Sequence, residues 1–164
     1  GQMVLQGETV TTGPRSEAIY VMGGNAYLIR ENSRISYFSE GAVNVMRVIT
    51  GKVLSVFAPG QKRIETPTAT LGIRGTGCYI EAEEDQVYFC LCYGAVDLVP
   101  VADKEQQQSY ATEHHETPVT IGRDKSKPLI EPAPVKNHRD WELTMLENAV
   151  GRKTPFEGKG FPGY

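Results

Sequence analysis

The amino-acid sequence predicts an all-β protein, a compact β-sandwich or β-roll of short strands with one C-terminal amphipathic helix packed on it. Three observations carry that expectation. Short runs rich in Val, Ile, Tyr and Phe recur from Ala18 to Val101, and these are the residue types that fit a pleated, half-buried surface. The junctions between the runs include Gly23-Gly24, Glu31-Asn32-Ser33, Glu40-Gly41, Thr50-Gly51 and Pro59-Gly60, which is turn chemistry. Only one segment, near the C-terminus, spaces its apolar residues as a helix does.

Taken in order, residues 1–17 read as an N-terminal arm. Its short apolar run, Met3 to Leu5, precedes the turn-prone Thr11-Thr12-Gly13-Pro14 and suggests an edge strand. Strands are expected at 18–22, 26–29, 34–38, 43–49, 53–57, 78–82, 87–93 and 95–101. In the runs beginning at Val43 and Val53 apolar residues take both parities, as in strands covered on both faces. Gly-x-Val recurs at Gly41, Gly51 and Gly94, but the irregular spacing marks repeated strand starts, not a solenoid.

The β domain is expected to span 18–135, ending in an extended segment punctuated by Pro118, Pro128, Pro132 and Pro134. A helix is expected over 136–151. Trp141, Met145, Leu146, Ala149 and Val150 would form its apolar stripe, Asn137 its N-cap, with Asp140 three positions on, and Gly151 its stop. Residues 152–164 read as a flexible tail unless Phe156, Phe161 and Tyr164 serve as anchors.

The chain has 164 residues with 17 Lys+Arg against 20 Asp+Glu, a formal net charge of −3. That length suits one modest domain. The acidic balance leaves no electrostatic footprint for nucleic acid, and no stretch reaches the roughly 18 apolar residues of a membrane span. The N-terminal residues lack the basic and apolar regions of a signal peptide, so the protein is either cytosolic or has lost a leader.

Three cysteines cannot all pair within one chain. Cys78 and the pair Cys90 and Cys92 flank the acidic turn Glu83-Glu84-Asp85-Gln86, the signature of a hairpin. Centring the turn on Glu84 sets Cys78 opposite Cys90, and centring it on Asp85 sets it opposite Cys92. Either register puts all three thiols on one face. Buried cysteines filling a core, a cross-strand disulfide from Cys78 to one of the pair, and a metal or cofactor site are all compatible with that triangle. For a metal, one of the adjacent His114 and His115 would supply a fourth ligand while the other met solvent or the carboxylates Glu113 and Glu116. Zinc, copper and an iron–sulfur centre are the candidate occupants.

No Gly-x-Ser-x-Gly, His-Glu-x-x-His or phosphate-loop motif is present. Gly72-Ile73-Arg74-Gly75-Thr76-Gly77 is glycine-rich, but it precedes a strand and lacks the Lys-Ser/Thr of a phosphate cradle. Its glycines suit a sharp corner. Arg74 is expected to tie loop carbonyls and carboxylates together from a buried or half-buried position, or to contact an anion.

The stretch Thr66-Pro67-Thr68-Ala69-Thr70-Leu71-Gly72-Ile73-Arg74-Gly75-Thr76 resembles the FecR domain, in which such a motif is followed by a strand, a polar turn, a strand and a Gly-x-Val corner. Here those are 78–82, 83–86, 87–93 and Gly94-Ala95-Val96. The resemblance extends upstream to about Ala26 and makes Arg74, Gly75 and Thr76 a ligand or structural motif. It implies a mostly β fold exposed in the periplasm or at the cell surface, with a sensing or scaffolding role and no catalysis. The classical regulators add a cytoplasmic segment that contacts a sigma factor, then a membrane span; neither appears in this sequence, which points to a stand-alone exported protein without its leader. The cysteines and histidines are outside the family pattern. The expectation is a non-enzymatic exported domain that binds a protein or cell-envelope component. A metal-binding or redox-sensing protein using Cys78, Cys90, Cys92 and His114 or His115, and a purely structural envelope domain, are the alternatives.

Overall fold

The computed structural model describes residues 4–164, so Met3 of the expected arm lies outside the described residues. Eleven strands and one α-helix follow in order among the described residues: β1 (Thr9–Thr11), β2 (Ala18–Met22), β3 (Asn25–Ile29), β4 (Arg34–Glu40), β5 (Val43–Val56), β6 (Gln61–Glu65), β7 (Ala69–Ala82), β8 (Gln86–Pro100), β9 (Gln108–Thr112), β10 (Val119–Gly122), β11 (Ile130–Pro132) and α1 (Asp140–Ala149), with a single 3-10 turn at Lys104–Gln106 before β9. No helix among the described residues is long and apolar enough to cross a membrane.

All eleven strands belong to a single sheet, with β1-β4-β5-β6-β7-β8-β10-β11 as its main path. It rolls on itself because its three longest strands change partners partway along. The first half of β5 pairs with β4 and, in parallel, with β6; beyond Gly51 it pairs with β3 and β7. Thr50-Gly51 is therefore the crossing point of one long strand, not a turn between two. Gly51 takes φ +95, and a Cβ there would lie 2.4 Å from the Ser33 Cα. The corresponding break in β7 falls at Gly75 to Gly77, where the register with β8 shifts. A Cβ on Gly77 would lie 2.4 Å from the Tyr93 ring, so this glycine lets β7 pass under an aromatic side chain.

Rolling separates two cores. One lies inside the roll and gathers Tyr27, Ile35, Ile64, Leu71, Ile80, Phe89, Leu91 and Ile121 with their neighbours. The other lies between the outer face of β3, β5, β7 and β8 and the helix, and contains Leu54, Tyr79, Cys90, Cys92, Leu143 and Leu146.

The helix forms where expected, but a different face is buried. Leu143 and Leu146 point inward together with Glu142 and Glu147, whereas Trp141 is 61% exposed. The two buried carboxylates have partners: Arg30 reaches Glu142 at 2.8 Å, and Arg152 reaches Glu147 at 2.6 Å. Tyr93 also donates its hydroxyl to Glu147. Asn137 is not the N-cap; it takes φ +58 in the approach to the helix, and Arg139 occupies the cap position.

A candidate metal centre under the C-terminal helix

The β7–β8 hairpin turns between Glu84 and Asp85, since Ala82 pairs with Val87. That half-step changes the thiol arrangement. Cys78 pairs with Leu91, and Tyr79 pairs with Cys90. Cys78 therefore faces the interior of the roll, while Cys90 and Cys92 face the helix. The expected triangle of three cofacial thiols becomes a pair plus one. All three cysteines are free and buried.

Their electrostatic surroundings differ accordingly. Burial pushes the Cys78 thiol well above its ordinary value, as expected of a thiol used as a small hydrophobe. Cys90 is lowered from 9.0 to about 4, first through the hydrogen bond with Cys92 and then, against the opposing effect of burial, through His115 and His138. Cys92 is raised, by burial and by its neighbour Cys90.

His114 and His115 lie in the bend after β9. The two would point apart on an extended chain, but His115 takes φ +54, which turns the backbone and lets both rings reach the same carboxylate. His115 Nε2 lies 3.0 Å from Asp140 Oδ1, and His114 Nε2 lies 3.0 Å from Asp140 Oδ2. The His115 amide donates to the Cys92 carbonyl at 3.0 Å, which fixes the bend against β8. Its Nδ1 is then 3.4 Å from Cys90 Sγ. Burial pulls the His115 imidazole down, but Cys90 and Asp140 outweigh it and the net shift is upward. His114 faces away from the thiols, stacked on Phe161 at 4.7 Å and edge-on to Phe156 at 4.8 Å. It is only 5% exposed, so it is shielded from solvent, and the carboxylate that it bonds is Asp140 in place of the expected Glu113 or Glu116.

The residue that sequence reasoning missed is His138. It precedes the helix, stacks on Tyr79 at 4.6 Å, and brings Nε2 to 3.1 Å from His115 Nδ1. Its other nitrogen, Nδ1, donates to the Lys136 carbonyl at 2.7 Å. Cys90, Cys92, His115 and His138 are all buried, and one potential ligand atom from each lies within 4.8 Å of the others. Asp140, the first residue of α1, joins this group through both histidines of the bend, a role beyond the helix capping that its sequence position suggests.

Arg74 does not tie the corner together from inside. Its side chain is 65% exposed and pairs with Asp97 at 3.2 Å. The corner is held by backbone: Gly75 takes φ +58, and the Thr76 carbonyl accepts from the Phe57 amide at 2.9 Å.

The protein-family model described as FecR protein matches residues 8–97, from the middle of the arm, just before β1, through most of β8. Among solved structures, two crystal structures of a candidate anti-sigma factor from Parabacteroides distasonis ATCC 8503 are similar. Each has a TM-score of 0.63 at 8% sequence identity, with 76% of this chain and 59% of that chain covered. This chain thus spans 59% of its neighbour's length, and the likeness is one of fold. No curated protein matches the sequence.

Proposed function

This chain belongs to the FecR family, a family of signalling regulators, and on that premise we propose that it is a non-enzymatic extracytoplasmic domain that binds a protein or another cell-envelope component. The family match carries the reading, because it spans eight of the eleven strands, from β1 into β8, with the Arg74-Gly75-Thr76 corner inside it. The fold neighbour described as a candidate anti-sigma factor supports a regulatory role in the same direction.

The surface also favours a protein partner. Strand β2 pairs only with β3 among the described residues, leaving one backbone edge open, and its outward Ile19 and Val21 are 54% and 50% exposed. An open edge with apolar β-branched side chains is suited to adding an extended segment of another protein. The test is made in cells producing the full-length product. Recovery with envelope markers, together with a discrete adduct from a photo-cross-linking residue at Ile19 and none from one at exposed Lys125, supports the proposal. Recovery with cytosolic markers overturns the location, and no adduct from Ile19 overturns the surface.

A further inference from the structure

We propose that Cys90, Cys92, His115 and His138 form a closed tetrahedral zinc site, oriented by Asp140. This goes beyond the signalling role above and does not rest on it.

Distances make the first argument. With Zn–S near 2.3 Å and Zn–N near 2.0–2.1 Å, the edges of a tetrahedral Cys2His2 site run from about 3.3 to about 3.8 Å. The nitrogen-to-sulfur separation at His115 and Cys90 is 3.4 Å, and the nitrogen-to-nitrogen separation at His115 and His138 is 3.1 Å. All four ligand atoms lie within 4.8 Å of one another. Drawing them onto a single ion requires movements no larger than side-chain adjustments.

Proton placement makes the second. A backbone carbonyl only accepts, so the 2.7 Å bond to Lys136 puts the His138 proton on Nδ1 and leaves Nε2 bare. A carboxylate likewise accepts, so the hydrogen bond to Asp140 puts the His115 proton on Nε2 and leaves Nδ1 bare. The bare nitrogens are the two that face each other at 3.1 Å beside the thiols. Two lone pairs so close repel unless a proton or a cation lies between them. The carboxylate on one imidazole and the carbonyl on the other are also the outer contacts that orient histidines on zinc.

Charge and enclosure make the third. Two thiolates balance a divalent ion, so the bound site is neutral in a dry interior where net charge is costly. All four side chains are buried, and Tyr164 packs edge-on to His115 at 5.1 Å. Four protein ligands with no open position make a structural site, not a catalytic one. The competing reading, a Cys90–Cys92 disulfide, asks two residues on one straight strand to bridge a Cα separation of about 6.5–7 Å, at or past the usual limit.

The ligands come from three segments: β8, the bend after β9, and the approach to α1. Both histidines lie beyond the part of the chain that the family model matches. Zinc would staple the C-terminal segment to the family fold, contributing folding free energy as structural zinc does.

The experiment uses the full chain, purified without a polyhistidine tag, loaded with zinc and dialysed. The expected result is about one zinc per chain, falling below about a tenth in Cys92→Ser and in His138→Ala and staying near one in Cys78→Ala. Asp140→Ala should weaken binding about 10–100-fold. Cobalt in place of zinc should show the intense visible bands of a tetrahedral thiolate site in the unaltered protein, a readout that needs no variant to fold. A folded wild-type chain that takes up no zinc overturns the proposal. So does retention of zinc in His138→Ala, loss of it in Cys78→Ala, or an octahedral cobalt spectrum.

Discussion

On the inner face of β7 and β8, Cys78, Ile80, Phe89 and Leu91 are packed in the interior of the roll. On the outer face of the same strands, Tyr79, Tyr88, Cys90, Cys92 and Tyr93 lie under the helix, and polar partners are at hand. Tyr79 donates to Glu81 at 2.9 Å, Tyr88 to the Pro134 carbonyl at 2.9 Å, and Tyr93 to Glu147. Both faces are equally dry: Cys78, Cys90 and Cys92 are each 0% exposed. Burial therefore does not separate a filler from a ligand. The separation comes from what the opposite layer contributes, aliphatic and aromatic strand residues in one case and histidines and carboxylates in the other.

That contrast is open to attack by mutation. The largest effect is expected on the inner face: Phe89→Ala should cost about 3–5 kcal/mol by chemical denaturation, and equally with and without a chelator. A cost that changed with chelator would mean the faces are not independent. Arg30→Ala, on the outer side, strips the buried Glu142 of its charged hydrogen bonds at 2.8 and 3.0 Å and should cost about 1.5–3 kcal/mol in the same assay. A neutral result would show that Glu142 finds another partner or water. Gly77→Ala forces a methyl into the Tyr93 ring, and about 1–3 kcal/mol is expected with a changed near-ultraviolet tyrosine signal. An unperturbed signal would place the cost outside the Tyr93 contact. Arg74→Ala should change the denaturation midpoint least, by the equivalent of about 0–1 kcal/mol, because both it and Asp97 are largely solvated. A larger loss would give the Arg74-Gly75-Thr76 motif a side-chain role that its geometry does not require.

Much of the β architecture was legible in the sequence because composition and turn residues agree along it, as at Ala18–Met22, whereas Thr50-Gly51 reads as a turn inside what is the single strand Val43–Val56. Strand β6 was missed, since Gln61-Lys62-Arg63 reads as loop; its place is set by β5 on one side and β7 on the other. The helix was found from its periodicity, but its buried face was misread. Glu142 and Glu147 belong inside only when Arg30 and Arg152 are present, and Arg30 is 112 residues from Glu142. Cys90, Cys92 and His115 were legible as a group by residue chemistry. Cys78 was misplaced by half a step of hairpin register, and His138 was overlooked although the chain has only three histidines, all of them buried.

The turn at Glu84 and Asp85 lies on the surface, six residues from Cys78 and five from Cys90, and touches neither core. Yet it acts as a parity bit for the whole hairpin. One residue inserted there, with the strands re-paired to absorb it, would exchange the inward and outward sets along one strand. Aliphatic side chains would be turned toward the helix and thiols into the roll. An exposed acidic turn of two residues thus carries the address of the side chains that a strand of this hairpin sends into the two interiors, which gives a solvent-facing position a structural constraint that its own contacts do not reveal.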